Sequence, residues 1–196
     1  MSITSKLTEQ VCLQRVSHFL LDQEWEEWFM NPTAGPWKKL RIRGIPELEN
    51  LLRFGREEDR PDLIVARREA STILICEAKD DLSSLLSGTG KAVKKSVEVF
   101  ETTASRLFNL IAKFQKELAQ FKKPAFYAGY IFPEAGSDQV KRLNAYHQKS
   151  RASTKYVGSN VNFVVHRKAN DDLIVKLDFG SDCDETPRKL LKEDSS

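Results

Sequence analysis

Three residues of this chain have the types and the spacing to do chemistry together: Asp62, Glu77 and Lys79, in the stretch RPDLIVARREASTILICEAK over 60–79. Each sits at the end of an apolar run, LIV or TILIC, where a buried strand would ordinarily avoid an ionisable group. Side chains two apart on a strand share a face, so Glu77 and Lys79 point one way while Cys76 and Ala78 point the other, into the core. The intervening RREAS has the length of a hairpin loop, although it contains no glycine. Antiparallel pairing joins the start of the first strand to the end of the second, which predicts Asp62, Glu77 and Lys79 at one edge of a sheet. Two carboxylates beside an ammonium suit a hard cation, since magnesium takes one or two protein carboxylates together with waters and phosphate oxygens. A protonated lysine does not ligate, but it can orient a water or offset charge on a phosphorane-like transition state. The plain structural alternative is an ion pair, Glu77–Lys79 or Asp62–Lys79, that closes a hairpin end.

The elements that must position these residues can be read from periodicity. Residues 5–22 predict an amphipathic helix with Cys12, Leu13, Val16, Phe19 and Leu20 on one stripe and Thr8 or Ser5 as its N-cap. NPTAGP (31–36) is a loop, Trp37–Gly44 a strand alternating basic and apolar residues, and Glu47–Phe54 a short helix. Asp62–Ala66 and Thr72–Ala78 form the hairpin, and DDLSSLLSGTGK after Lys79 reads as a loop begun by Asp80 and Asp81. Apolar residues from Val97 to Phe121 then recur every three or four positions, predicting a long helix over 96–121 that crosses a full sheet. AFYAGYIF is a strand, Gln139–Lys149 a basic helix, and VNFVVHR and DLIVKLDF two further strands. The order predicts an α/β protein, a central mixed β-sheet flanked by helices, as one domain over 1–180 with a polar, frayed tail over 181–196.

The sequence Pro61-Asp62, fourteen residues, then Glu77-Ala78-Lys79 resembles the PD-(D/E)xK nuclease signature. The likeness in element order extends over about residues 5–135, and it implies a restriction-endonuclease-like core. It also implies a Mg²⁺-dependent DNA endonuclease, with Asp62 and Glu77 as metal ligands, the Ala78 carbonyl as a further ligand, and Lys79 positioning the attacking water. One or two ions fit this pattern, and Mn²⁺ is expected to substitute. Members of that superfamily often carry an acidic residue on the first helix. Glu9 matches that place, in line with Leu13, Val16 and Leu20, where an unpartnered carboxylate would be costly. Its plainer role is to complement the helix dipole, and Glu47 and Glu49 are its substitutes. The resemblance favours a restriction-type enzyme, with a Holliday junction resolvase, a repair nickase or a non-cleaving DNA-binding subunit as the alternatives.

Charge and composition set broader bounds. Of 196 residues, 40% are hydrophobic and 30% charged, enough for a core and against global disorder. Net charge is only +3, but it is unevenly spread. WKKLRIR holds Lys38, Lys39, Arg41 and Arg43 beside Trp37, and Lys141, Arg142, Lys149, Arg151 and Lys155 fall in a stretch with no acidic residue. These segments could follow the phosphate backbone of double-stranded or branched DNA, or each could be an ordinary solvated face. Cutting both strands calls for two active sites, hence a homodimer, with the 96–121 helix at its interface. Three widely spaced cysteines make neither a disulfide framework nor a zinc site. His18, His147 and His166 are scattered, and SGTGK (87–91) lacks the spacing of a phosphate-binding loop, so it reads as a flexible loop near DNA. No segment has the length of a membrane helix or the apolar core of a signal peptide, so the expected location is cytoplasmic.

Overall fold

The computed structural model describes residues 7–31, 40–45, 60–180 and 183–193. A six-stranded mixed sheet runs in sequence order: β1 (Glu26–Met30), β2 (Leu63–Arg67), β3 (Thr72–Ala78), β4 (Ala125–Pro133), β5 (Val157–Arg167) and β6 (Leu173–Phe179). The β1–β2, β2–β3 and β5–β6 pairs are antiparallel, whereas β3–β4 and β4–β5 are parallel. Parallel neighbours need crossovers, and helices provide them: α2 (Leu82–Leu86) and α3 (Lys91–Lys113) lead from β3 to β4, and α4 (Ser137–Arg151) leads from β4 to β5. These three helices cover one face of the sheet, while α1 (Glu9–Leu21) and α5 (Glu185–Leu190) lie against the other.

Both faces are therefore core. Ile64, Ala66, Ile73, Ile75, Tyr130 and Phe132 pack under α2–α4. Leu63, Val65, Leu74, Cys76, Ala78 and Phe163 pack against Cys12, Leu13, Val16, Phe19 and Leu20 of α1. The face shared by Glu77 and Lys79 is thus a continuation of buried sheet. The β2–β3 turn works without glycine because Ser71 adopts φ 49°. Gly129 is required in β4, since a Cβ there would lie 2.3 Å from the Cys76 sulfur.

Several expectations need correction. Trp37–Lys39 and Glu47–Phe54 lie outside the described residues. The described part of the expected 37–44 strand is only a bridge at Leu40, with the Arg41 amide donating to the Trp28 carbonyl, and then a turn. The strand at that edge is EEWFM, whose two acidic residues disguise it. The loop expected after Lys79 contains α2, with Leu82, Leu85 and Leu86 buried and the Asp81 side chain capping the Ser83 amide at 2.8 Å. SGTG is a tight turn and not a loose loop. Gly90 (φ 85°) caps α3 there, and a Cβ on it would lie 2.8 Å from the Tyr146 ring. α3 begins at Lys91 and ends at Lys113, earlier than expected at both ends. Phe114, Leu118 and Phe121 keep the apolar spacing through turns that hold them on the same core. Over 183–193 the expected frayed tail carries α5, with Leu191 buried. Arg67 donates to the Leu190 carbonyl, and Gln23 and Lys192 exchange two hydrogen bonds. Among the described residues no helix is long and apolar enough to cross a membrane.

Candidate active site at the ends of the second and third strands

Strand pairing determines where Asp62 lies. Leu63 is paired with Cys76, and the Asp62 amide donates to the Cys76 carbonyl at 2.8 Å. Beyond that point the β2 backbone leaves the ladder and the Asp62 side chain continues it: Oδ2 accepts from the Ala78 amide at 2.8 Å. A strand residue sends its N–H and C=O out of the same edge, so the Ala78 carbonyl also faces the Asp62 side. Lys79 is held in line with β4 by its amide, which donates to the Ile131 carbonyl at 2.9 Å. Its ammonium lies 2.7 Å from Glu77 Oε1, with the two side chains 32% and 18% exposed, neither core nor free surface.

Glu9 reaches the same place from the other layer. It is the first residue of α1, after the N-cap Thr8, and its amide donates to the Asp80 carboxylate. Asp80, read from sequence as the start of a loop, therefore ties the α1 N-terminus to the end of β3. The only local signal for this role is its position directly after Lys79.

The electrostatics show that these groups sense one another. The Asp62 carboxyl is pushed up to about 6, chiefly by burial, with Glu77 and Glu9 adding to the rise and the Ala78 amide and Lys79 opposing it. Burial also raises Glu9, opposed by Lys79 and reinforced by Asp80 and Glu77. Burial works against the charge on Lys79, but Glu77, by charge and hydrogen bond, and then Asp62 and Glu9 outweigh it. The ammonium is held above the ordinary lysine range. Carboxylates thus outnumber cations in a partly desolvated corner.

Among the described residues no group of three or more His, Cys, Asp or Glu side chains is disposed to hold a metal ion. The donor set is smaller, Asp62 and Glu77 with the Ala78 carbonyl on the Asp62 side, which is the sparse oxygen provision that suits magnesium. Excess carboxylate charge in a buried corner is what a divalent cation relieves, so the residues present fit such an ion.

The sequence-predicted cations are not on one surface. Arg41 and Arg43 are exposed beside β1, near Glu26 and Glu27. Lys141, Arg142 and Lys149 are exposed on α4, which packs over β5, and Arg151 is half-buried. The Lys155 ammonium lies over the Tyr156 ring at 5.0 Å. Trp37, Lys38 and Lys39 lie outside the described residues. His147 is structural: it is buried between the Tyr130 hydroxyl (3.0 Å) and the Gly158 carbonyl (3.2 Å), and burial depresses it to about 4.

Sequence reasoning missed a polar row. The register aligns Glu77 with Tyr130, Asn162 and Asp178 across four strands, under α4. Its one signal was Asn160 and Asn162, two apart in a strand whose other central residues, Val161 and Phe163–Val165, are apolar. No protein-family model, curated protein or solved structure matches the chain.

Proposed function

We propose that this protein is a Mg²⁺-dependent DNA endonuclease hydrolysing phosphodiester bonds, of restriction type, centred on Asp62, Glu77 and Lys79. What supports this is the convergence of those residues with Glu9 and Asp80 at one strand end, where carboxylates exceed cations and the Asp62 carboxyl is pushed up to about 6. Carboxylates perturbed by burial and by one another cluster at functional sites.

Asp62 and Glu77, with the Ala78 carbonyl, are the residues that would hold the ion, Mn²⁺ being able to replace Mg²⁺. When bound it supplies a Lewis acid for the phosphate and a lowered pKa for water. The chain's own contribution is positional. Asp62 is fixed by the Ala78 amide, so one carboxylate oxygen is committed to the fold, while the other has no hydrogen-bond partner among the described residues. Lys79 stays protonated and is oriented by Glu77, which leaves its remaining N–H groups to hold the attacking water and offset charge on the scissile phosphate. In-line attack then leaves a 5′-phosphate and a 3′-hydroxyl. Glu9 adds negative charge from α1 and shapes the approach. Arg41, Arg43 and the basic residues of α4 are the proposed backbone contacts, together with Trp37, Lys38 and Lys39, and a homodimer is the proposed unit for cutting both strands.

A second reading, a non-cleaving DNA-binding subunit, is favoured by one observation: the Lys79–Glu77 pair and the Asp62–Ala78 bond already satisfy the strand end internally. Incubating plasmid, linear and four-way-junction DNA with Mg²⁺ separates the two. Discrete metal-dependent products, lost in Asp62→Ala and Lys79→Ala, are expected. Preference for the junction would make the enzyme a resolvase or repair nickase, and DNA binding without any cutting would sink the enzyme reading.

A further inference from the structure

Asp62 and Glu77 are brought to the acidic corner by strand register, whereas Glu9 is brought there by the docking of α1. Leu7 and the stripe of Cys12, Leu13, Val16, Phe19 and Leu20 seat that helix. Apolar contact is non-directional, so it holds α1 against the sheet without dictating where the first-turn side chain of Glu9 points. Helix ends also fray, because the first amides have no intrahelical partner. In α1 the first helical bond is that of the Cys12 amide to the Thr8 carbonyl. Before it, the Val11 amide reaches the Thr8 hydroxyl only at 3.4 Å, which is long for a hydrogen bond, and the Glu9 amide donates to Asp80.

Asp80 therefore caps α1 from the sheet, 71 positions away in sequence. Its own place is set by its neighbour, since the Lys79 amide donates to the Ile131 carbonyl of β4 at 2.9 Å. Two successive residues at the end of β3 thus serve different ends. Lys79 turns its ammonium to Glu77 at 2.7 Å, and Asp80 turns its carboxylate to the helix. A carboxylate on a first-turn amide makes a charge-assisted bond and also meets the positive end of the helix dipole. The first turn senses that charge: burial is the chief cause that raises Glu9 and the Cys12 thiol, and Asp80 adds to both. Glu9 in turn bears on Asp62 and on Lys79. A continuous path of contact and charge runs from Asp80 through the start of α1 to the corner.

We propose that Asp80 is a positioning residue for phosphodiester cleavage: by holding the Glu9 amide it sets where the Glu9 carboxylate stands against Asp62 and Lys79. This inference rests on the nuclease reading. The Asp80 side chain is spent on α1, so it acts through Glu9 and not on the phosphate. The cations proposed to grip DNA lie elsewhere, so its loss belongs in turnover and not in substrate affinity.

The test is a double-mutant cycle of Asp80→Ala and Glu9→Gln, with kcat and KM measured in Mg²⁺ on the DNA form that wild type cuts. Asp80→Ala is expected to lower kcat about tenfold, the worth of one hydrogen bond to a charged group, with KM unchanged. In the Glu9→Gln background the same substitution should cost nothing further, because no carboxylate is left to place. A general loss of stability would cost the same in both backgrounds. Asp80→Asn keeps an acceptor for the Glu9 amide and should recover most of the loss. With neither metal nor DNA present, amide exchange at 9–11 and alkylation of Cys12 should quicken about tenfold in Asp80→Ala, ahead of the rest of the sheet. If Asp80→Ala does not fold, Asp80→Ser, which also lacks the charge, takes its place with the same expectations. Cleavage equal to wild type, a loss that persists in full beside Glu9→Gln, or exchange at 9–11 left unmoved would each overturn this inference and leave the nuclease reading standing. A wild type that cuts no DNA would overturn both.

Discussion

Burial lifts the Asp62 carboxyl from 3.8 to about 6, so the folded protein holds that proton more tightly than the unfolded chain does. The group therefore favours folding most below the unfolded value, near pH 4, and the benefit is lost as pH rises through about 6. A shift of this size corresponds to at most ~3 kcal/mol, and partial solvent contact reduces it. Asp62→Asn keeps an acceptor for the Ala78 amide but removes the charge. It should be more stable than wild type at neutral pH, by an excess that grows by about 2 kcal/mol between pH 4 and pH 7. Urea unfolding across that range checks this, and an excess independent of pH would show that the carboxyl is not perturbed. The same reasoning gives a metal prediction. A cation relieving this charge binds only the folded state, so Mg²⁺ should raise the unfolding midpoint of wild type and leave Asp62→Asn where it was. A midpoint unmoved in both would remove metal binding from the corner.

At the scale of elements, two side chains fix where segments begin. Glu101 of α3 accepts from three consecutive amides, those of Lys155, Tyr156 and Val157, at 2.7–3.1 Å, and so fixes the entry into β5. Glu101→Gln loses the charge-assisted part of that latch and should cost about 2 kcal/mol, read by denaturant unfolding. Hydrogen exchange should then speed up at 155–157 before it does so elsewhere; unchanged exchange would mean that the turn holds itself. Asp81 caps α2 directly after the site, and Asp81→Ala should cost about 1 kcal/mol by the same measurement. Elements of this kind were only partly legible in the sequence. The β2–β3 hairpin was legible because two continuous apolar runs are joined by a short polar segment of hairpin-loop length, and the antiparallel register they adopt brings Asp62 to Ala78. α2 was not, since a five-residue serine-rich helix has too little period to recognise. The end of α3 was misplaced because Phe114, Leu118 and Phe121 need only face the core, which turns accomplish as well as helix. Asp80 and the asparagine network escaped because their partners lie far off in sequence: Glu9 is 71 positions from Asp80, and Asp178 is 34 from Asn144.

For the molecule as a whole, net charge matters less than where the cations stand. Arg41 and Arg43 lie beside β1, and Lys141, Arg142 and Lys149 project from α4 over β5, so the two basic segments seen in sequence border opposite parts of a six-stranded sheet. A duplex crossing the ends of β2 and β3 could be gripped from either side, and salt dependence tells which. Each phosphate contact contributes about 0.9 to the slope of log affinity against log salt. Replacing Lys141, Arg142 and Lys149 by glutamine should lower that slope by about 2.7 if α4 follows the backbone, and replacing Arg41 and Arg43 by about 1.8 if the β1 side does. Three exposed α4 cations against two make the α4 side the stronger expectation, because exposed charges cost nothing to desolvate in advance and add their fields at long range. DNA binding measured from low to moderate salt with both variants is therefore expected to show the larger loss of slope for α4. A slope unchanged by the α4 substitutions and reduced by the arginine pair would move the DNA to the β1 edge.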